Sequence, residues 1–268
     1  MQPKPAFLGP QTSSAFQDPS VVAAYQTRPP YPDATFDLLA DLMDVSPRYV
    51  LDVGCGTGFL ARPLAERAER VDALDVSAAM IAQGKLLPGG DSPRLRWIVG
   101  RAEDTPLDPP YALITAGDSL HWMEWGVVMP RFARLLTPNG YLAILTVGWL
   151  PVPWEAGLKA LVPRYSTIRD HQPHDPTKDV KARGLFQHVG ERRTEPVPFT
   201  QSLDAYIESF HGRASFSRER MAPADAAAFD AELRALVAPF SQDAVVLQLV
   251  AEVVWGKPLA ESFATALQ

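Results

Sequence analysis

Cysteine is all but missing from these 268 residues. Cys55 stands alone, which excludes an internal disulfide framework and a cysteine-rich zinc site. Long apolar runs are missing too. The best stretch, Tyr141 to Leu150, meets Pro151 and Pro153 well short of the ~20 residues a membrane helix needs. The opening Met1-Gln2-Pro3-Lys4-Pro5 has no apolar core of the kind a secretory signal carries. Positive charge is not in excess, because 25 Lys and Arg against 31 Asp and Glu leave a formal charge of -6. That balance is ill-suited to gripping a nucleic-acid backbone. Together these absences predict a reduced, cytoplasmic protein with no membrane and no nucleic-acid partner.

What is present is a chain 47% hydrophobic and 21% charged, enough to bury a sizeable core in one large domain or two small ones. Its 26 prolines punctuate loops rather than gathering in one tract, and no internal repeat is visible. Nothing in residues 1–16 predicts order. Asp18 to Asp44 reads as a short helix, the elbow Arg28-Pro29-Pro30-Tyr31-Pro32, and a second helix carrying Leu38, Leu39 and Leu42.

A regular alternation follows. Strands are expected at Tyr49–Val53, Val71–Val76, Leu95–Val99, Tyr111–Ala116 and Tyr141–Val147. Helices are expected between them at Phe59–Ala68, at Ser77–Leu86 with Ser77 as N-cap, and at Val127–Leu136 before a stop at Pro138-Asn139-Gly140. Such βα repeats imply a parallel sheet with right-handed crossovers. Beyond Trp149 the pattern changes: Trp154–Val162, Leu203–Gly212 and Pro223–Val237 read as helices, and Val189–Phe199 and Val245–Trp255 as two late strands. The expected fold class is therefore α/β. It is a Rossmann-like, mainly parallel seven-stranded sheet with helices on both faces and a helical cap inserted after strand five. The corresponding divisions are a tail and lid over 1–44, a cofactor-binding core over 45–150, and cap helices with the last two strands over 151–268.

The sharpest local signal is Leu51-Asp52-Val53-Gly54-Cys55-Gly56-Thr57-Gly58, glycines that turn tightly between a strand and a helix. Asp75 ends the next strand 21 residues beyond Gly54, where a carboxylate can take both hydroxyls of a ribose. The third glycine comes one residue early for a dinucleotide fingerprint, and Asp52 just before the turn would repel a pyrophosphate. The loop fits a cofactor with a ribose and a positive charge better than one with phosphates.

These residues resemble the first motif of class I S-adenosylmethionine-dependent methyltransferases. The similarity continues through Asp75-Val76-Ser77-Ala78-Ala79-Met80, Gly100-Arg101-Ala102-Glu103 and Leu135-Leu136-Thr137-Pro138-Asn139-Gly140-Tyr141-Leu142. Tyr25-Gln26-Thr27-Arg28-Pro29-Pro30-Tyr31-Pro32 and His121-Trp122 are similar to a small-molecule branch that includes trans-aconitate methyltransferase-like proteins. The resemblance implies S-adenosyl-L-methionine as cofactor, S-adenosyl-L-homocysteine as product, and methyl transfer to an oxygen or nitrogen of a small acceptor, a carboxylate among the options. It implies that Gly54, Cys55 and Gly56 lie against the methionine part and that Asp75 binds the ribose. Val76 and Met80 would flank the adenine, and Ala102 and Glu103 would bond its edge. The carbonyls of Ala116 and Gly117 would face the amino group, while Tyr25 and Arg28 close over the site.

Acceptor contacts are expected where strands four and five end and where the cap can cover them: His121 as the nearest base, with Tyr31, Trp122, Trp149, His211 and Arg213 around the acceptor. Asp108-Pro109-Pro110-Tyr111 matches the catalytic tetrapeptide of adenine-N6 nucleic-acid methyltransferases, but it precedes strand four and so enters at the wrong edge of the sheet. His171-Gln172-Pro173-His174 has a proline where a helix would have to align two imidazoles, and no metal is expected. An NAD-dependent oxidoreductase and a non-catalytic binding module are the remaining alternatives, and the oligomeric state is left open.

Overall fold

In the computed structural model, residues 8–44, 46–169, 175–241 and 243–259 are described. Five parallel strands form one side of a single sheet: β1 (Tyr49–Val53), β2 (Arg70–Asp75), β3 (Leu95–Val99), β4 (Tyr111–Gly117) and β5 (Leu136–Trp149). Three more complete it: β6 (Phe186–Arg193), β7 (Val197–Ser202) and β8 (Ala244–Pro258). The order is β3-β2-β1-β4-β5-β8-β6, with β7 also on β8, and all three β8 pairings are antiparallel.

The sheet thus has eight strands but seven positions, because β6 and β7 lie end to end along β8. Val189–Phe199 is not one strand. It is interrupted at Glu195-Pro196, where proline has no N–H for the ladder, and Thr194 turns its backbone N–H onto the Ala251 carbonyl at 3.0 Å. The stop at Pro138-Asn139-Gly140 is not a loop either. Tyr111 pairs with Leu136 and Leu113 with Tyr141, so Thr137 to Gly140 bulge within β5. Lys257 Nζ donates to the carbonyls of Pro138 at 2.9 Å and Gly140 at 2.6 Å, which gives two of the bulge's carbonyls a partner.

Near the N-terminus the helices are α1 (Pro10–Ser13), α2 (Pro19–Ala24) and α3 (Asp33–Asp41). Within the alternating region they are α4 (Ala61–Leu64), α5 (Ala78–Lys85) and α6 (Trp125–Leu135). Pro63 denies α4 a donor, so the expected ten-residue helix shrinks to one α turn flanked by tighter turns. Ser77 does cap α5, its hydroxyl accepting from the Met80 N–H at 3.2 Å. Beyond β5 come α7 (Glu155–Tyr165), α8 (Pro176–Ala182), α9 (Leu203–His211) and α10 (Pro223–Val237).

One face of the sheet (Val50, Val71, Leu113, Ala143) packs on α3 and α4, and the other (Leu51, Leu74, Ile114, Ile144) on α6 and α8. A third cluster joins α7, α9 and α10 to Val245, Leu247 and Leu249 of β8. The N-terminal segment departs from expectation. Residues 8–17 are helical turns with Leu8 and Ala15 buried, not a disordered tail. Among the described residues no helix is long and apolar enough to cross a membrane. His171-Gln172-Pro173-His174 lies outside the described residues.

Candidate functional site

From β1 the chain moves outward to β2 and β3, then returns to the other side of β1 for β4 and β5. At that reversal the loops after β1 and β4 diverge and leave a crevice at the strands' carboxyl ends. The β1 loop fills it with bare backbone. Gly54 has φ +67°, and a Cβ there would come 2.5 Å from Cβ of Ser119 in the β4 loop. Only glycine lets the two loops approach so closely.

A cavity of about 480 Å³ opens in this crevice, inside the range of small-molecule sites. Of the expected cofactor residues it brings together Tyr25, Arg28, Gly54, Gly56, Asp75, Val76, Met80, Ala102, Glu103 and Gly117. Asp75 is held by two backbone donors, Gly56 N–H to Oδ2 at 2.8 Å and Ser77 N–H to Oδ1 at 2.7 Å. Each oxygen keeps a second lone pair for a vicinal diol. Burial raises the Asp75 pKa, and the Ser77, Gly56 and Val76 amides pull it back down. Glu103 accepts from Glu124 N–H at 3.0 Å, which fixes its carboxylate near the start of α6.

A smaller cavity of about 30 Å³ continues past Tyr25, Arg28, Gly54, Gly117 and Asp118, walls common to both. Tyr31, Cys55 and Asp52 line its far side. Asp52 is buried; Oδ1 accepts from Thr115 Oγ1 at 2.8 Å, and Oδ2 has no partner. Burial lifts its pKa to about 7, against the pull of Thr115. The Cys55 thiol is buried and its pKa is pushed well up, so it is an unreactive wall. Ala116 is fully buried within β4, one residue short of both cavities.

Trp122 lies on the wall of the larger cavity, edge-on to Phe16 with centroids 5.7 Å apart. His121 lies tilted against Trp122, ring centroids 4.5 Å apart, in the turn after β4 but borders neither cavity. Arg213 reaches over Phe210 at 4.5 Å and Trp149 at 5.9 Å. Burial and then the charge of Arg28 hold its pKa down to about 10. His211 must be reassigned. It is fully buried under the cap, with Nδ1 2.8 Å from the Phe216 carbonyl and Nε2 2.7 Å from Asp230 Oδ1, so both ring nitrogens are spent on the cap itself.

Residues missed by sequence reasoning include Asp118, Ser119 and the roof formed by Leu8, Ser13, Ser14, Phe16 and Gln17. Asp118 has φ 48°, costly for a residue with a side chain, and its carboxylate stands 3.6 Å from Arg28. Its position one residue after Gly117 was the available signal. Asp108-Pro109-Pro110-Tyr111 sits at the opposite edge of the sheet, where Tyr111 donates to Asp72 at 2.6 Å and Arg70 pairs with Asp108 at 2.9 Å.

Fold and crevice define an α/β protein with a carboxylate, Asp75, held by backbone amides at its switch point. Residues 50–140 match a family model described as a methyltransferase domain. An uncharacterized methyltransferase of Mycobacterium tuberculosis is 32% identical over 49% of this chain and 54% of its own length. Trans-aconitate 2-methyltransferase of Pseudomonas paraeruginosa is 31% identical over 43% of this chain and 42% of its own. The chain thus spans about half the length of these curated relatives. A structure from Anaeromyxobacter dehalogenans, assigned as a type II methyltransferase, superposes with TM-score 0.59 at 24% identity, over 86% of this chain and 97% of that one. Over residues 50–140 the chain is thus similar to methyltransferase domains.

Proposed function

We propose that this protein transfers a methyl group from S-adenosyl-L-methionine to an oxygen or nitrogen of a small-molecule acceptor, carboxylates included. The observation that carries this reading is the Asp75 carboxylate, aimed by two backbone amides into a cavity of about 480 Å³. The cofactor supplies a methyl on cationic sulfur with a neutral thioether as leaving group, so the protein's part is orientation in a dry pocket.

In this assignment Asp75 receives the ribose hydroxyls, and Val76, Met80, Ala102 and Glu103 surround the adenine. Gly54, Gly56 and Gly117 leave room for the methionine chain, and Arg28 pairs with its carboxylate. The acidic walls, with Asp52 and Asp118 among them, favour a cationic ligand over a pyrophosphate. Trp122 and Tyr31 wall the acceptor, and His121, packed against Trp122 outside both cavities, would have to turn inward to take an acceptor proton of high pKa. Arg213, over Phe210 and Trp149 and within reach of the charges of Arg28 and Asp118 on the cavity wall, supports an anionic acceptor. The likeness to an enzyme named for trans-aconitate supports the same reading.

Titration calorimetry with S-adenosylmethionine and, separately, NADH tests the cofactor; formation of S-adenosylhomocysteine with a panel of small carboxylic acids tests the acceptor. Binding of NADH but not of S-adenosylmethionine overturns the reading.

A further inference from the structure

The N-terminal segment that roofs the larger cavity is built of helical turns too short to hold their own position. α1 has four residues and α2 six. A polar seam to residues 217–220 of the cap, some two hundred positions along the chain, holds it. Arg220 alone gathers three points of the roof. Its Nε donates to Asp18 Oδ2 at 2.6 Å, Nη1 to the Gln11 carbonyl at 2.5 Å and Nη2 to Ser14 Oγ at 3.0 Å. Ser217 Oγ donates to Asp18 at 2.6 Å, and Glu219 accepts from both the N–H and the hydroxyl of Ser20. The seam runs on into the cap through Arg218, which pairs with Glu208 at 2.8 Å and Asp230 at 3.2 Å. Attachment to the sheet is slighter: Ser77 Oγ donates to the Phe16 carbonyl at 2.9 Å, and Phe16 rests edge-on against Trp122.

We infer that Arg220 is the clasp of a roof that must lift for the cofactor to exchange. Because the clasp joins the roof to the cap rather than to the sheet, roof and cap act as one cover over cofactor and acceptor. The side chains of Asp18 and Arg220 are 18% and 29% exposed. Charge-assisted bonds partly open to water favour the closed roof yet break without global unfolding. Arg220 borders neither cavity, so it is a positioning residue.

The inference rests on the cofactor reading above, and its test separates the two. Dissociation of S-adenosylhomocysteine from the full-length protein is followed by stopped-flow tryptophan fluorescence, with Trp122 beneath the roof as reporter. Arg220→Ala should raise the off-rate at least tenfold, and Arg220→Lys, which keeps the charge but not the fork that makes four bonds, should fall between. Added salt should speed release from wild type more than from Arg220→Ala, a difference that general loosening would not produce. If Arg220→Ala does not fold, Asp18→Asn replaces it, and amide exchange across residues 11–20 of the wild type should slow when S-adenosylhomocysteine binds. A wild type that binds no S-adenosylhomocysteine defeats the cofactor reading and the clasp with it. Tight binding with off-rates within twofold of wild type, or amide exchange untouched by ligand, overturns the clasp alone.

Discussion

Asp52 and Asp75 sit one strand apart and differ in what their carboxylates are given. Asp75 has two backbone donors and faces the cavity, whereas Asp52 has one hydroxyl and an orphaned oxygen. Asp75→Ala should therefore weaken S-adenosylmethionine binding by about 2–4 kcal/mol by calorimetry, the scale of two hydrogen bonds to a charged group. Asp52 should instead set a pH dependence of stability. Its pKa rises from 3.8 to about 7 on folding, so the folded protein holds the proton more tightly. That stabilisation is complete below the ordinary carboxyl range and is lost as pH climbs through about 7. Asp52→Asn, neutral at every pH, should flatten the loss by on the order of 2 kcal/mol. Thermal melts at pH 5 and pH 8 check this, and identical pH profiles for mutant and wild type would refute it.

Among the elements, the β1 loop is the most tightly constrained. Gly54→Ala combines a left-handed φ with a 2.5 Å approach to Ser119, and should destabilise by about 1–3 kcal/mol in urea unfolding. Adding Ser119→Gly should recover only part of that, since it removes the clash but not the backbone strain. The turn after β4 and the cap should separate in their effects. Trp122 touches both Phe16 and the cavity, so Trp122→Ala is expected to loosen cofactor binding as well as acceptor turnover. Arg213 borders neither cavity, and Arg213→Ala should impair turnover while cofactor affinity stays within about threefold. Equal loss of cofactor affinity in both mutants would show that the cap does not select the acceptor.

Across the whole molecule, protection should follow the sheet order. β1 and β4 are central, buried and paired on both sides, while β6 and β7 are largely exposed and share one neighbour, β8. Native-state hydrogen exchange should give the β1 and β4 amides the largest protection and those of β6 and β7 the smallest. Uniform protection across the eight strands would mean that the late strands are no softer than the Rossmann-like half.

Much of this protein is determined by its sequence alone. Leu95–Val99 and Pro223–Val237 have the ends that periodicity and turn chemistry assign them, and Ser77 caps its helix as expected. The glycine loop and Asp75 meet at 2.8 Å, because adjacent parallel strands bring strand ends together at a spacing the chain already carries. Other features were decided only in three dimensions. The roof over residues 8–17 has no helical pattern of its own and is placed by Arg220, whose bond to Asp18 joins positions 202 apart. The burial of His211 depends on where α10 sets Asp230. The bulge in β5 depends on Lys257 arriving from β8. Local periodicity records what a residue's near neighbours in the chain require. Contacts between distant segments leave no such period, so packing alone assigns these residues their places.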